Sequence, residues 1–173
     1  MQAYDFLFTS PEQTAEFARD FYALAQKISE QKSVNIYLLG NLGAGKSTFS
    51  RAFIQAAGYQ GNIPSPTYSI QEDYAVGEHT IYHLDLYRLG DVGELEVLGF
   101  FDNQQPNTIF LIEWPQILMH DYPPMFLATW DYVEQEPNAR KLYLQFVSSQ
   151  LPASLKAQAE AKFQALSQKY TQN

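Results

Sequence analysis

The run Gly40-Asn41-Leu42-Gly43-Ala44-Gly45-Lys46-Ser47 constrains this chain more than any other. Before it stands Val34–Leu39, β-branched, aromatic and mostly apolar, which is the make-up of a buried strand. After it Phe49, Ala52, Phe53, Ala56 and Ala57 recur at helical spacing from about Lys46, and Gly58 suits the stop. Where a strand hands over to a helix through such a loop, glycines let successive backbone N–H groups turn inward with no Cβ in the way of an anion. The string matches G-x-x-x-x-G-K-[ST] in the strand–loop–helix setting that its mechanism demands. The helix adds its positive end. Lys46 then places a charge at the β- and γ-phosphates, and the Ser47 hydroxyl is positioned for Mg²⁺. The expected ligand is ATP with Mg²⁺, held by Asn41, Leu42, Gly43, Ala44, Gly45, Lys46, Ser47 and Thr48. The plainer reading is a glycine-rich turn with an incidental Lys-Ser. No Asn-Lys-x-Asp string for guanine occurs, and the arginines are isolated rather than gathered into a kinase-like lid.

A phosphate loop needs a carboxylate at the end of a neighbouring strand. Ile81-Tyr82-His83-Leu84-Asp85 and Ile109-Phe110-Leu111-Ile112-Glu113 each end in one. Glu113 is expected on the metal side, with Asp85 as a second ligand or orienting a coordinating water; the plainer reading of each is a capping or solvated carboxylate. Pro64-Ser65-Pro66 stiffens an extended loop, and Thr67 offers a hydroxyl that could sense the γ-phosphate, unless the segment is an ordinary rigid turn. Trp114 either stacks near the nucleotide or fills core. His83 is expected as a hydrogen-bonded core residue, Arg88 in a structural ion pair, and Arg140 solvated in a hairpin turn.

The 173 residues suit one domain or a domain with a tail, drawn here as 1–150 for the nucleotide domain and 151–173 for a C-terminal helical tail packed on it. Ser10-Pro11-Glu12-Gln13 opens a first helix, with Phe17, Ala18, Phe21, Leu24, Ala25 and Ile28 on one face. Alternating stretches at Thr67–Ala75 and Thr80–Leu84 predict a hairpin, and Phe126–Tyr132 with Lys141–Val147 a second one across 134–140. Gly93–Leu98 reads as a short acidic helix and Thr108–Ile112 as a buried strand. In the tail, Leu155, Ala159, Phe163 and Leu166 form a helical stripe. The expected fold is α/β, like the P-loop NTPases: a mixed central β-sheet flanked by helices in three layers. Net charge is −8, and the 11 Lys and Arg residues adjoin only at Arg140-Lys141, so direct binding of nucleic acid is disfavoured. There is no cysteine, which excludes disulfides and thiolate chemistry. The opening residues lack a signal peptide's pattern and no apolar stretch spans a bilayer, so the expected location is the cytoplasm, with no membrane partner.

Together Gly40–Ser47, Ser65-Pro66-Thr67-Tyr68, His83-Leu84-Asp85-Leu86-Tyr87-Arg88, Glu94-Leu95-Glu96 and Ile112-Glu113-Trp114-Pro115 resemble, in order and spacing from about Ser10 to Val147, the TsaE (YjeE) family. That family is bacterial. The resemblance implies an ATPase needed to make threonylcarbamoyladenosine next to the tRNA anticodon. It would act with the TsaD–TsaB heterodimer, which performs the transfer and holds the tRNA. It implies Ser47 and Glu113 on Mg²⁺, Asp85 in the Walker B role and Thr67 in a switch loop. Lys46, Asp85, Glu113 and Thr67 are thus the expected catalytic set. Ser47 stands where the family usually has threonine, Gln116 where it often has Glu, and the tail beyond Gln150 is longer than typical. An ATP-gated adaptor without turnover, or another small P-loop enzyme, are the alternatives.

Overall fold

Two runs are apolar on both faces and so require cover on both sides. Val34–Leu39 forms strand β2 and Thr108–Glu113 forms strand β5, and they pair in parallel at the centre of a seven-stranded sheet. The computed structural model describes residues 1–171; positions 172 and 173 of the expected tail lie outside them. The remaining elements are β1 (Gln2–Phe8), α1 (Pro11–Ser29), α2 (Lys46–Ala56), β3 (Gln71–Val76), β4 (His79–Asp85), α3 (Gly93–Val97), β6 (Phe126–Val133), β7 (Glu136–Phe146) and α4 (Ala153–Thr171). Single 3-10 turns stand at Pro115–Ile117 and Ser148–Gln150.

The strand order is β1-β7-β6-β2-β5-β4-β3. β6, β2, β5 and β4 run parallel, whereas β3, β7 and β1 are antiparallel to their neighbours, so the sheet is mixed. Helices α1, α2 and α4 cover one face over an aromatic core of Phe17, Phe21, Phe49, Phe53, Phe126 and Phe163. On the other face Tyr37, Phe110 and Ile112 meet Leu95 of α3, Phe100 and Leu118. The architecture is therefore the expected α/β sheet flanked by helices.

Ser10 caps α1, its Oγ accepting the Gln13 N–H at 3.3 Å, and Gln13 reaches back to accept the Thr9 N–H at 2.8 Å. The tail helix α4 lies on the sheet face beside α1. Phe163 packs 5.2 Å from Tyr4 and 5.3 Å from Phe146, centroid to centroid. At its far end Lys169 and Tyr170 both donate to Asp20 on α1, each at 2.6 Å.

Three boundaries differ from the sequence pattern. Strand β1 is additional: only Phe6 and Phe8 are fully buried in it, and its partner β7 lies far along the chain. The first hairpin begins at Gln71 rather than Thr67, because residues 67–70 turn, with Ile70 left-handed (φ 68°) and its N–H on the Pro66 carbonyl. The second hairpin turns at Glu134-Gln135, with Gln135 at φ 64°, so residues 136–140 belong to β7 and not to a loop.

Candidate nucleotide site

The loop between β2 and α2 is shaped by what surrounds its glycines. Gly40 has φ 142°, and a Cβ there would stand 2.6 Å from the Trp130 carbonyl oxygen, too close for any side chain. Gly43 has φ 77°, and a Cβ would meet the Tyr132 hydroxyl at 2.8 Å. The loop thus lies directly against β6 with its bare backbone, and α2 opens at Lys46 with no side chain capping it. Asn41 and Ala44 shape the loop rather than line the cleft: the Asn41 carbonyl accepts the Ala44 N–H at 3.0 Å, and the Ala44 methyl is buried beneath. Leu42, Gly43, Gly45, Lys46, Ser47 and Thr48 all line a cleft of about 190 Å³.

Lys46 is buried, and its ammonium donates to the Gly40 carbonyl while lying 4.4 Å from the centre of the Trp114 ring. Burial pushes this ammonium below its ordinary range, against the opposing pull of the Glu113 and Asp85 carboxylates. The lysine thus lies folded within its own loop, in a cage of carbonyl and indole.

Asp85 and Glu113 are register partners at the ends of the parallel strands β4 and β5, both buried and both lining the cleft. Asp85 accepts from the Tyr87 N–H at 3.0 Å and from the Thr67 hydroxyl at 3.1 Å, and Thr67 is 2.8 Å from the Ser65 hydroxyl. Glu113 accepts from the ring of His83, whose Nε2 stands 3.1 Å away. Among the described residues no three His, Cys, Asp or Glu side chains gather closely enough to hold a metal on their own. One or two carboxylates and a hydroxyl beside a phosphate cradle are instead the donor set of Mg²⁺ that arrives with a nucleotide, so the residues present fit that group.

Trp114 does not fill core. It is partly exposed on the rim of the cleft, edge-on to Tyr87 at 5.1 Å, and held left-handed (φ 53°), uncommon for a bulky residue. His83 is a hydrogen-bonded core residue, as expected. Two arginines depart from the sequence reading. Arg88 has no carboxylate partner among the described residues and lies 4.7 Å over the Tyr68 ring. Arg140 is not a solvated loop residue. On β7 it is the register partner of Tyr132 on β6, and both side chains reach the glycine loop. Tyr132 donates to the Leu42 carbonyl. Arg140 donates to the Gly43 carbonyl at 3.3 Å and to the Pro137 and Ala139 carbonyls at 2.7 Å each. A break in the ladder sets that register: Val133 pairs with Glu136 beside the turn, but Tyr132 pairs with Arg140, so residues 137–139 bulge out between them. Pro11 and Thr14 of α1 and Asn138 of β7 complete the wall, and no local sequence signal marks them.

The molecule is similar to known proteins over this same span. Residues 8–142 match the family described as threonylcarbamoyl adenosine biosynthesis protein TsaE. The Haemophilus influenzae protein named tRNA threonylcarbamoyladenosine biosynthesis protein TsaE is 44% identical over 100 residues, 58% of this chain and 63% of that one. The protein of the same name from Rickettsia felis is 40% identical over 120 residues, 68% of this chain and 66% of that one. The one from Bacillus subtilis is 32% identical over 114 residues, 66% of this chain and 68% of that one. The chain thus spans slightly less than two thirds of the Haemophilus and Rickettsia proteins. In fold, the crystal structure of Bacillus subtilis YdiB matches with a TM-score of 0.68 over 97% of this chain and 96% of that one, at 23% identity.

Proposed function

The chain belongs to the TsaE family of threonylcarbamoyl adenosine biosynthesis proteins, and from that premise we propose that it binds and hydrolyses ATP with Mg²⁺ in the cleft over Gly40–Ser47. It works in the cytoplasm with a TsaD–TsaB heterodimer during threonylcarbamoyl modification of the tRNA adenosine next to the anticodon. Among the described residues no helix is long and apolar enough to cross a membrane. The observation that carries the reading is the alignment of Asp85 and Glu113 as register partners beside the glycine loop, in one cleft with Lys46, Ser47 and Thr67.

The residues divide the work. The loop amides and the α2 N-terminus receive the phosphates. Lys46 exchanges its Gly40 carbonyl for phosphate oxygens, whose negative charge offsets the cost of burying the ammonium. Ser47 and Glu113 hold Mg²⁺, with Asp85 beside them as second ligand or orienting a water. The metal supplies charge neutralisation on the phosphates. Thr67, now bound to Asp85, is free to turn toward the γ-phosphate and carry the Ser65 loop with it. Trp114 walls the cleft opposite the loop. With net charge −8 and dispersed basic residues, the protein leaves the tRNA to its partners.

The assay is phosphate release at saturating ATP and Mg²⁺, with and without the TsaD–TsaB pair. Slow release alone and faster release with the pair is the expected result. Full-speed hydrolysis untouched by the pair overturns the partnership, and tight ATP binding without release under either condition makes the protein an ATP-gated adaptor. Lys46 gives a separate check. Each charge-assisted hydrogen bond contributes about 1.5–3 kcal/mol, so Lys46→Ala weakens ATP at least about tenfold by calorimetry. Equal affinity in that variant removes the phosphate assignment.

A further inference from the structure

One buried group in the site has no task in the mechanism above. His83 is 3% exposed and lies on β4, two residues before Asp85 and so on the same side of the strand. Its Nε2 stands 3.1 Å from Glu113 Oε1. An ionised carboxylate has no proton to give, so Nε2–H is the donor. The other ring nitrogen, Nδ1, is buried and finds no hydrogen-bond partner among the described residues. A buried ring with one nitrogen bonded and the other unmet is a local exception of the kind that collects where function demands it. The ring also borders a small cavity of about 40 Å³ that touches Ser47, Pro64 and Ser65, so it stands directly behind the phosphate loop and the switch-like loop.

We propose that His83 is the positioning residue of Glu113: its Nε2–H fixes one carboxylate oxygen so that the other is presented to Mg²⁺ beside Ser47. The geometry supports an oriented ligand. A free glutamate side chain on a strand samples several rotamers, whereas this one ends in a hydrogen bond to a buried ring. A metal that demands near-ideal geometry and dehydrates reluctantly gains from a ligand set in advance. The inference rests on the Mg²⁺–ATP reading above.

The test uses the full chain and a non-hydrolysable ATP analogue, AMP-PNP, titrated by calorimetry with Mg²⁺ and with EDTA. The measured quantity is the gain in affinity that Mg²⁺ brings. His83→Leu fills the space without a donor, and it is expected to lose about tenfold or more of that gain, the scale of outer partners of metal ligands, while affinity in EDTA stays as in wild type. His83→Gln, whose amide N–H₂ can reach where Nε2–H did, is expected to restore it. If His83→Leu does not fold, His83→Asn, with an amide one atom too short, takes its place. A Mg²⁺ gain as large as wild type in the donor-less variant overturns the proposal. So does an equal loss with and without Mg²⁺, which would mark a merely structural residue. Wild-type protein with no Mg²⁺ gain at all would instead remove the Mg²⁺–ATP reading on which the proposal stands.

Discussion

Glu113→Gln lowers turnover by about 10²-fold or more while ATP affinity falls far less, and Asp85→Asn acts in the same direction. A metal at the phosphates stabilises charge that develops in the transition state by several kcal/mol, and each 1.36 kcal/mol is tenfold in rate. The substitution is clean at position 113. A glutamine oxygen still accepts the hydrogen bond from His83, so the side chain keeps its anchor and loses only its charge. At position 85 the change also disturbs the bond from the Thr67 hydroxyl, because one carboxylate oxygen becomes an amide that donates. Asp85→Asn is therefore expected to show both slower turnover and a looser Ser65–Thr67 loop. Steady-state phosphate release and calorimetry of ATP binding, run on the same preparations, separate the two effects. Wild-type kcat in both variants would sink the metal assignment.

The second large effect lies at the other end of the chain. Phe163→Ala costs about 3–5 kcal/mol, because the ring is fully buried and the rings around it belong to three different strands. Tyr4 of β1, Phe126 of β6 and Phe146 of β7 all touch it, so the void cannot close by moving one neighbour. In a chain of this size that loss lowers Tm by roughly 6–20 °C. Thermal melting checks it. Removal of residues 151–173 acts in the same direction, since it also strips Lys169 and Tyr170 from Asp20. An unchanged Tm on truncation, with loss of binding to TsaD–TsaB, would instead make α4 a docking helix.

What could be read from the sequence followed from how local each signal is. The phosphate loop announces itself because its spacing, its preceding strand and its following helix all lie within about two dozen residues of one another. Asp85 and Glu113 stand out because each closes an apolar run, and the parallel pairing of two such runs brings the carboxylates together without further information. Arg140 was hidden by register. With residues 134–140 read as a turn, its side chain points nowhere in particular. In the structure the turn closes at two residues and residues 137–139 bulge out of the ladder, so Arg140 falls opposite Tyr132 and within reach of the Gly43 carbonyl. Those three bulged residues decide whether the charge is solvent-facing or part of the site. Strand β1 was hidden for another reason. Its inward residues, Phe6 and Phe8, make too short an alternation to stand out, and its partner is more than a hundred residues away. Residues 67–70 carry a strand's alternation but turn instead, which brings the Thr67 hydroxyl onto Asp85.

The pairing of β1 with β7 also sets an order of assembly for a chain made from its N-terminus. Gln2 pairs with Phe146 and Phe8 with Arg140, so the strand of this sheet that is made first waits for the one made last before it has a neighbour. Until then its inward face, Phe6 and Phe8, is an exposed apolar edge on the nascent chain. The parallel strands β2, β4 and β5 need no such wait, and with them the glycine loop, Asp85 and Glu113 can come together early. Arg140 cannot, since it rides on the strand that captures β1. A chain still leaving the ribosome therefore carries the glycine loop with one wall of its cleft missing, and it acquires that wall and covers Phe6 and Phe8 in the same late step.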